Sequence, residues 1–423
     1  MAEAPTRSTD GIDAGQLLGY FEERRDEMVE LIVKLASIES PSRVADAQEP
    51  MRSALTAEYD ALGLAVRRLE GEDGCDHLMA RPTDRDPSRP TQLLLGHLDT
   101  VWPVGTLETM PIEIVDGRLH GPGIFDMKAG LVQTIFALRA IRELGIEMPV
   151  DPVVLVNADE EIGSPNSRTH TVELAEEACR AFVMEPSYGP RGDLKTVRKG
   201  IGNFKLTVRG VASHAGLDPD SGVSAILEVS HQVEQLFALN DASRGVTVNV
   251  GTIDGGLRPN VIAPEATAMI ETRVFTSEDA ARVEEAIRGL TPTRDQITLD
   301  VEGGFRRPPM EKTPGNRALW AAAQEAASAL GFEIGEAQVG GASDGNLTSP
   351  LIPTLDGLGA VGDGAHADHE HLIIEKVPQR AALLAMLLAG RQFGLGLFFY
   401  GGLLAATVLF VHQEALTRGR TPA

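Results

Sequence analysis

The stretch "LLLGHLDTV", residues 93–101, has the pattern of a buried β-strand that ends in polar side chains. Three leucines and a glycine lead into His97, and Asp99 follows two positions later. Residues i and i+2 of a strand point to the same face, so the imidazole and the carboxylate are expected to touch. A strand that ends on two such groups predicts a functional site at that end.

Similar apolar runs recur along the chain and alternate with helical patterns. The runs "TQLLLGH" (91–97), "DPVVLVNAD" (151–159) and "CRAFVMEP" (179–186) are short and end on polar residues. The segment "MKAGLVQTIFALRAIREL" (127–144) instead has apolar residues at helical spacing. This alternation predicts an α/β fold with a mostly parallel central sheet, whose sites lie at the strand ends.

The pattern changes from about Gly200 onward. Alternating segments such as "NFKLTVRGV" (203–211) and "ATAMIETRV" (266–274) flank two helical segments that start near residues 221 and 277. Two helices with several alternating strands indicate a small α+β domain inserted in the larger one. We therefore predict four parts: a catalytic domain in two segments, an inserted domain and an apolar extension of unknown role, with bounds 13–199, 307–393, 200–306 and 394–423.

Composition limits the classes of function. A chain of 423 residues with 43% hydrophobic and 23% charged residues is expected to be globular and to have more than one domain. The formal net charge of −23 opposes nucleic-acid binding, which depends on Lys and Arg at phosphates. Two cysteines, Cys75 and Cys179, make no disulfide framework, and the sequence leaves open whether they interact.

The two ends of the chain bear on localisation. The N-terminal residues are polar and acidic and have no signal-peptide pattern, so a cytoplasmic location is expected. Residues 393–411, "FGLGLFFYGGLLAATVLFV", carry no charge and are long enough to cross a bilayer. Two interpretations are open for this segment, a C-terminal membrane anchor and a buried terminal helix, and the second is preferred.

Acidic residues and histidines follow several of the apolar runs. Individually, each has an ordinary explanation as a helix cap or an exposed charge, but carboxylates gathered at adjacent strand ends would repel one another without a cation. Two imidazoles and three carboxylates, with one carboxylate bridging, suit a pair of zinc ions. The full set of acidic residues and histidines that follow the apolar runs is His97, Asp99, Asp126, Glu160, Glu161, Glu185 and His366.

Eight short motifs together resemble the ordered set of the zinc aminoacylase and carboxypeptidase family. The resemblance extends from about residue 20 to residue 392. Members of that family include glutamate carboxypeptidase, succinyl-diaminopimelate desuccinylase, acetylornithine deacetylase and aminoacylase. The motifs are "GHLDTV", "GPGIFDMKAG", "DEEIGS", "MEPS", "GVASHAG", "PNVIAPEATAMIETRV", "GGASDG" and "GAHADHEH".

The resemblance implies a role for each residue of the strand-end set. Asp126 would bridge two Zn²⁺ ions, for which Co²⁺ or Mn²⁺ are alternatives, and the peptide bond after it would be cis. Asp99 would orient the His97 imidazole, and Glu160 would be the general base that passes a proton to the leaving amine. His369 and His371 lie close to His366 in sequence, so the register of that ligand is open. The implied metal ligands are His97 and Glu185 on one side of Asp126, and Glu161 and His366 on the other.

The inserted domain resembles the lid of this family, which also carries the dimer interface. His214 would help to hold the oxyanion of the reaction, often from the partner subunit. Asn260 and Arg273 would be substrate-binding residues, and Arg273 and the Gly340–Gly341 turn would bind a substrate carboxylate. Arg307 lies near a position where glutamate-specific relatives carry a cation. As alternatives, Asn260 is a turn residue and Arg273 a strand-edge cation.

Taken together, these features predict a homodimeric di-zinc hydrolase that cleaves an amide bond next to a free carboxylate. A glutamate-carboxypeptidase-like exopeptidase is preferred, and a deacylase of N-acyl amino acids is the first alternative. A metal-binding scaffold without catalysis is a second alternative, which the pairing of Glu160 with Glu161 argues against because a scaffold needs ligands but no base. The sequence does not specify the substrate side chain, the acyl group or the native metal.

Overall fold

The structure, a computed structural model, describes residues 12–390, which form ten α-helices and sixteen β-strands. The helices are α1 (Ala14–Glu23), α2 (Arg25–Ala36), α3 (Ala45–Ala61), α4 (Ala129–Glu143), α5 (Ser167–Glu177), α6 (Ala225–Phe237), α7 (Ser277–Arg288), α8 (Pro314–Ala329), α9 (Gly345–Thr348) and α10 (Val377–Ala389). The strands are β1 (Leu64–Leu69), β2 (His77–Pro82), β3 (Thr91–His97), β4 (Glu113–Val115), β5 (Arg118–His120), β6 (Asp151–Asn157), β7 (Ala178–Val183), β8 (Leu194–Arg198), β9 (Gly200–Arg209), β10 (Thr247–Gly255), β11 (Glu265–Val274), β12 (Thr298–Arg307), β13 (Glu336–Val339), β14 (Thr354–Leu355), β15 (Gly362–Asp363) and β16 (His371–Ile373).

The described chain divides into two compact units. The second unit comprises Val197–Glu311 and Gln338–Ala342, and the first unit comprises the remaining described residues. Residues 197–199, 307–311 and 338–342, placed in the catalytic segments by the sequence, thus fall in the second unit. Hydrogen bonds explain the difference, since Arg198 and Met310 exchange two backbone bonds of 3.1 Å and Lys199 N–H donates to the Val339 carbonyl.

The first unit is built around a six-stranded sheet in the order β1-β2-β6-β3-β7-β14. The neighbours β6, β3, β7 and β14 run parallel, β2 runs antiparallel to β6, and β1 runs antiparallel to β2. Every residue of β3 and β6 is buried, as expected for strands covered on both faces. The predicted mostly parallel central sheet is therefore confirmed, and the carboxyl ends of β6, β3 and β7 meet at one edge.

A smaller antiparallel sheet, β15-β16-β5-β4, also belongs to the first unit. Strand β16 pairs with β5 so that His371 lies opposite His120. This pairing brings the loop between β15 and β16, residues 364–370, close to the turn that follows β5. The backbone bond from Gly121 N–H to the Glu370 carbonyl, 3.2 Å, marks the contact between these two segments.

The second unit has a four-stranded antiparallel sheet in the order β10-β11-β9-β12. Alternate residues of β9, such as Phe204, Leu206 and Val208, are buried in a core with residues of α6 and α7. The period-two pattern of the sequence therefore supplies the buried face of this sheet. Among the strands of residues 12–390, β10 is an edge strand, because its only neighbour there is β11.

No helix within residues 12–390 is long and apolar enough to cross a membrane. The apolar segment 393–411 and the extension 394–423 lie outside the described residues, so a C-terminal anchor stays a prediction, as does the cytoplasmic location. Cys75 and Cys179 are free cysteines, and Cys75 is buried.

Candidate metal centre

Three neighbouring parallel strands carry most of the predicted site at their carboxyl ends. His97 is the last residue of β3, and Glu160 and Glu161 begin a short turn just after β6. Glu185 follows β7 by two positions. Since β6, β3 and β7 are adjacent, these side chains gather at one edge of the sheet, as the strand-end argument predicts.

Asp126 reaches this edge from the irregular turn Ile124–Lys128, which leads directly into α4. The peptide bond between Asp126 and Met127 is cis, as predicted. Oδ1 of Asp126 lies 3.3 Å from Nε2 of His97, and Oδ2 lies 3.5 Å from Nε2 of His366. One carboxylate therefore faces two imidazoles, one with each oxygen.

His366 is the histidine of the "HADHEH" segment that meets the carboxylates. Its Nε2 atom lies 3.0 Å from Oε2 of Glu161, and its side chain is 52% exposed. His369 instead faces Asp368 at 3.6 Å, and the ring of His371 packs against that of His120. The main chain at His366 has a φ of +64°, a left-handed conformation that is uncommon for residues other than glycine.

The contact between His97 and Asp99 differs from the one expected. Nδ1 of His97 lies 2.9 Å from the backbone carbonyl oxygen of Asp99 and 3.6 Å from Oδ1 of its carboxylate. The carboxylate instead accepts hydrogen bonds from Ser42 Oγ at 2.6 Å and from the N–H groups of Glu160 and Glu161 at 3.2 and 3.3 Å. The reason is that β3 ends at His97, so the alternation of side-chain direction does not extend to Asp99.

The pKa shifts show that this cluster favours positive charge. Burial opposes the charge of His97, but hydrogen bonds with Asp126 and Glu185 raise its pKa well above the usual range. Contacts with Asp126 and Glu161 raise the pKa of His366 to about 10. Although burial alone would raise the pKa of Asp126, the two imidazoles hold it below its usual range. A divalent metal would replace these protons, because imidazole binds metals in its neutral form.

Two overlapping sets of side chains have ligand atoms close enough to share a cation. His97, Glu160 and Glu185 form one set, and His97, Asp126 and Glu161 form the other, with the ligand atoms of each set within 4.8 Å of one another. Imidazole nitrogens and carboxylate oxygens in this number suit zinc. The donor set therefore fits a pair of metals, and Glu160 lies close enough to the others to act at the same centre.

In the second unit, His214 and Asn260 lie on paired segments. His214 forms a β-bridge with Val261, and Ala215 N–H donates to the Asn260 carbonyl at 3.0 Å. Nδ1 of His214 accepts hydrogen bonds from the N–H groups of Gly216 and Leu217, at 3.1 and 3.0 Å. The neutral ring therefore carries its proton on Nε2, which can donate to an oxyanion.

The predicted substrate-binding residues Arg273, Gly340 and Gly341 lie together in the second unit. Arg273 donates from Nη1 to the Gly340 carbonyl at 3.0 Å and from Nε to Glu271 at 2.8 Å. Arg198, which the sequence analysis did not single out, donates to the Gly341 carbonyl at 3.2 Å. Arg307, the last residue of β12, is only 5% exposed. The glycine turn is thus held by two guanidinium groups.

Sequence reasoning missed Glu370, which lies four residues after His366. Its carboxylate is fully buried and accepts a hydrogen bond from the backbone N–H of Asp126 at 3.1 Å. The available signal was an acidic residue among the histidines of "HADHEH".

Comparisons with known proteins agree with this geometry. Residues 93–390 match the Peptidase family M20/M25/M40. The chain is 28% identical over 383 residues to carboxypeptidase G2 of Pseudomonas sp. (strain RS-16), with 87% of this chain and 91% of the relative covered. It is 26% identical over 346 residues to succinyl-diaminopimelate desuccinylase of Dechloromonas aromatica (strain RCB), with 77% and 89% covered. Among solved structures, aminopeptidase PepT from Bacillus cereus ATCC 10987 aligns with a TM-score of 0.70 at 22% identity, over 86% of this chain and 98% of that one.

The chain therefore belongs to the Peptidase family M20/M25/M40. Members of this family are dinuclear zinc enzymes, and the described residues include His, Asp and Glu groups that could bind such metals. The protein is accordingly a zinc-dependent peptidase or deacylase, and the alternative of a scaffold without catalysis is not retained.

Proposed function

We propose that this protein hydrolyses an amide bond next to a free carboxylate of its substrate, as a glutamate-carboxypeptidase-like exopeptidase. The observation that carries the proposal is the placement of Asp126, whose two oxygens face His97 and His366 at 3.3 and 3.5 Å. A carboxylate with one imidazole at each oxygen is suited to bridge two metals. The metal ligands would be His97, Asp126, Glu161, Glu185 and His366.

When bound, the two zinc ions would lower the pKa of a shared water and polarise the substrate carbonyl. Glu160 would accept a proton from the attacking water and deliver it to the leaving amine, the work of a general base and then of a general acid. Asp99 would keep Glu160 and Glu161 in place through their N–H groups. Nε2–H of His214 would donate to the oxyanion of the reaction.

Residues of the second unit would bind the carboxylate of the substrate. Arg273 donates hydrogen bonds from Nη1 to the Gly340 carbonyl and from Nε to Glu271, and its guanidinium has further N–H groups for a ligand. Guanidinium groups bind carboxylates through two parallel hydrogen bonds. Asn260, Arg307 and the N–H groups of the Gly340–Gly341 turn would complete the recognition. The name of the relative carboxypeptidase G2 supports this substrate class.

We also propose that the protein is a homodimer through its second unit. Edge strand β10 has a row of backbone groups that can pair with another strand. Such an edge often pairs with the same strand of a second chain across a two-fold axis. Apolar residues at this edge are exposed, Ile253 at 54% and Leu257 at 72%. Ile226 and Leu227 of the adjoining α6 are also exposed. In this arrangement His214 would act on the substrate of the other subunit.

A substrate panel tests the proposal. Purified zinc-loaded protein is offered dipeptides with C-terminal glutamate or other residues, together with N-acetyl, N-succinyl and N-formyl amino acids. We expect the highest kcat/KM for a dipeptide with a free C-terminal carboxylate, and complete loss of hydrolysis with a chelator. Hydrolysis of N-acyl amino acids but not of dipeptides would contradict the carboxypeptidase assignment.

The second candidate is a deacylase of N-acyl amino acids. It is favoured by the similarity to succinyl-diaminopimelate desuccinylase, which covers 77% of this chain. Both reactions use the same metals and base and differ in the group that the acyl pocket accepts. The same substrate panel therefore separates the two candidates.

A further inference from the structure

Glu370 lies in the loop between β15 and β16, the same loop that carries His366. Its side chain is completely buried in the first unit. A buried carboxylate is costly unless hydrogen-bond donors surround it, so the donors around Glu370 indicate what the residue does.

Four N–H groups donate to the Glu370 carboxylate. Oε1 accepts from the backbone N–H groups of Phe125 and Asp126, at 2.9 and 3.1 Å. Oε2 accepts from the backbone N–H of Gly123 and from the indole of Trp102, both at 2.9 Å. Three of the four donors are backbone N–H groups of residues 123–126, the segment that presents Asp126, so this carboxylate fixes the path of that segment.

The main chain of Glu370 makes a further connection to the same segment. Its carbonyl oxygen accepts from Gly121 N–H at 3.2 Å, just before the turn, and its own N–H donates to the Ala367 carbonyl at 3.0 Å. Ala367 adjoins His366. One residue therefore links the segment that carries Asp126 to the segment that carries His366.

We propose that Glu370 is a positioning residue of the metal centre, which holds Asp126 and His366 in register so that both reach the same cation. This inference rests on the proposed dinuclear site. His97 and Glu185 follow the strands β3 and β7 of the central sheet and do not depend on this link. The metal on the side of Glu161 and His366 does depend on it, since two of its three ligands lie on the linked segments.

The test compares the wild-type protein with Glu370→Gln. Glutamine keeps the size of the side chain and one acceptor oxygen, but its NH₂ group faces donors in place of the second oxygen. Zinc is removed, and each metal is titrated back against a chromophoric chelator, with Co²⁺ absorption spectra as a second readout. We expect the dissociation constant of one metal to rise by about tenfold to a hundredfold, the scale of losses at partners of metal ligands. The other metal also has Asp126 as a ligand but keeps His97 and Glu185 at the ends of the central strands, so its dissociation constant should rise by a clearly smaller factor.

A matched control shows whether the loss of a buried carboxylate elsewhere in the protein also weakens zinc binding. Glu228 of the second unit is also buried and accepts from the Gln232 amide at 2.6 Å and from Thr293 N–H at 3.0 Å. Glu228→Gln should lower the midpoint of thermal unfolding and leave both zinc affinities unchanged. Trp102→Phe removes only the indole donor, so its effect on zinc should be smaller than that of Glu370→Gln.

If Glu370→Gln does not fold, Glu370→Asp replaces it, because aspartate keeps the charge but draws it back by one methylene group. It should weaken mainly the same metal, and by a smaller factor than Glu370→Gln does. The inference is overturned if either variant binds two zinc ions with wild-type affinities, or loses both equally. A wild-type protein that binds fewer than two metals would contradict the proposed function itself, and the inference would fail with it.

Discussion

The Nδ1 atom of His97 lies 2.9 Å from the backbone carbonyl oxygen of Asp99. A carbonyl can only accept, so Nδ1 carries the proton in the neutral ring and the lone pair of Nε2 faces Asp126 and Glu185, at 3.3 and 3.5 Å. The main chain therefore sets the tautomer that a metal requires. The Asp99 carboxylate is left to hold the N–H groups of Glu160 and Glu161.

Asp99→Asn should therefore lower turnover without loss of metal. The amide replaces one acceptor oxygen by a donor, which disturbs the turn of Glu160 and Glu161 but leaves the carbonyl contact of His97 intact. We expect kcat to fall by about tenfold to a hundredfold, with two zinc ions per chain retained. Metal content by mass spectrometry and steady-state kinetics check this. Loss of zinc would mean that the carboxylate, and not the carbonyl, orients His97.

Glu160 and Glu161 are expected to respond differently to the same substitution. Glu160→Gln should keep two metals and lower kcat by roughly a hundredfold or more, because general-base help is lost. Glu161→Gln should lose the metal on the His366 side, since Oε2 of Glu161 lies 3.0 Å from Nε2 of His366. Zinc stoichiometry and kcat are measured on both variants. Near-normal turnover of Glu160→Gln would remove Glu160 from the role of base.

Hybrid dimers test whether His214 acts across subunits. Glu160→Gln and His214→Ala are each expected to be nearly inactive alone. A mixed dimer would contain one centre with an intact Glu160 that receives an intact His214 from the other chain. Mixing the two variants should therefore restore part of the activity, up to about a quarter of the wild-type value when exchange is random.

Subunit exchange is confirmed separately, with differently tagged chains. If exchange is complete and activity does not return, His214 acts within its own chain or has no part in the reaction. A mutation at the edge of β10, such as Ile253→Lys, should lower dimerisation by placing a charge on the exposed apolar edge. Sedimentation measures that effect directly.

Arg380 of α10 is expected to be important for stability alone. Its buried guanidinium donates to the carbonyl oxygens of Gly359, Gly192 and Gly357, and burial lowers its pKa to about 9. Arg380→Met would leave three buried carbonyl groups without these donors and should reduce the free energy of unfolding by about 3 kcal/mol. Denaturant unfolding of the metal-free protein measures the loss. The same substitution at exposed Arg25 should change stability by less than about 0.5 kcal/mol.

The strand-end residues of the site were predictable because a simple rule places them. Apolar runs that end on polar residues form β3, β6 and β7, and adjacent parallel strands have their carboxyl ends at one edge. His97, Glu161 and Glu185 follow from this rule. Asp126 was grouped with them in the sequence, but its turn comes after the short exposed strand β4 and the strand β5, and only the family resemblance implied its bridging role.

Other features depend on the main chain, which a sequence pattern does not display. Glu370 meets backbone N–H groups from a distant turn, and every residue except proline has such a donor. The contact of His97 with a carbonyl was missed because β3 ends at His97, two residues before Asp99, so the alternation of side chains does not reach Asp99. The predicted boundary at residue 307 differs from the division of the described chain into two compact units, and the pairing of Arg198 with Met310 is not visible in composition.

Arg273 is expected to recognise the carboxylate of the substrate. Arg273 is fixed by the Gly340 carbonyl and by Glu271, so its guanidinium is held in one orientation. Lysine at this position would keep the charge but could not maintain these contacts and also give two parallel hydrogen bonds to a carboxylate. Arg273→Lys should lower kcat/KM by a factor that corresponds to about 2 to 3 kcal/mol.

Amidation of the substrate carboxylate provides the second arm of the experiment. In the wild-type protein, amidation should lower kcat/KM by a factor similar to that of Arg273→Lys, because it removes the substrate partner of the same interaction. In Arg273→Lys it should cost little more, and the two losses would not add. Glu271→Gln serves as a control, since it removes a partner of Arg273 and leaves the guanidinium available to the substrate. If the losses from Arg273→Lys and from amidation add fully, Arg273 does not touch that carboxylate. Its recognition would then fall to Arg307, the Gly340–Gly341 turn or the metals.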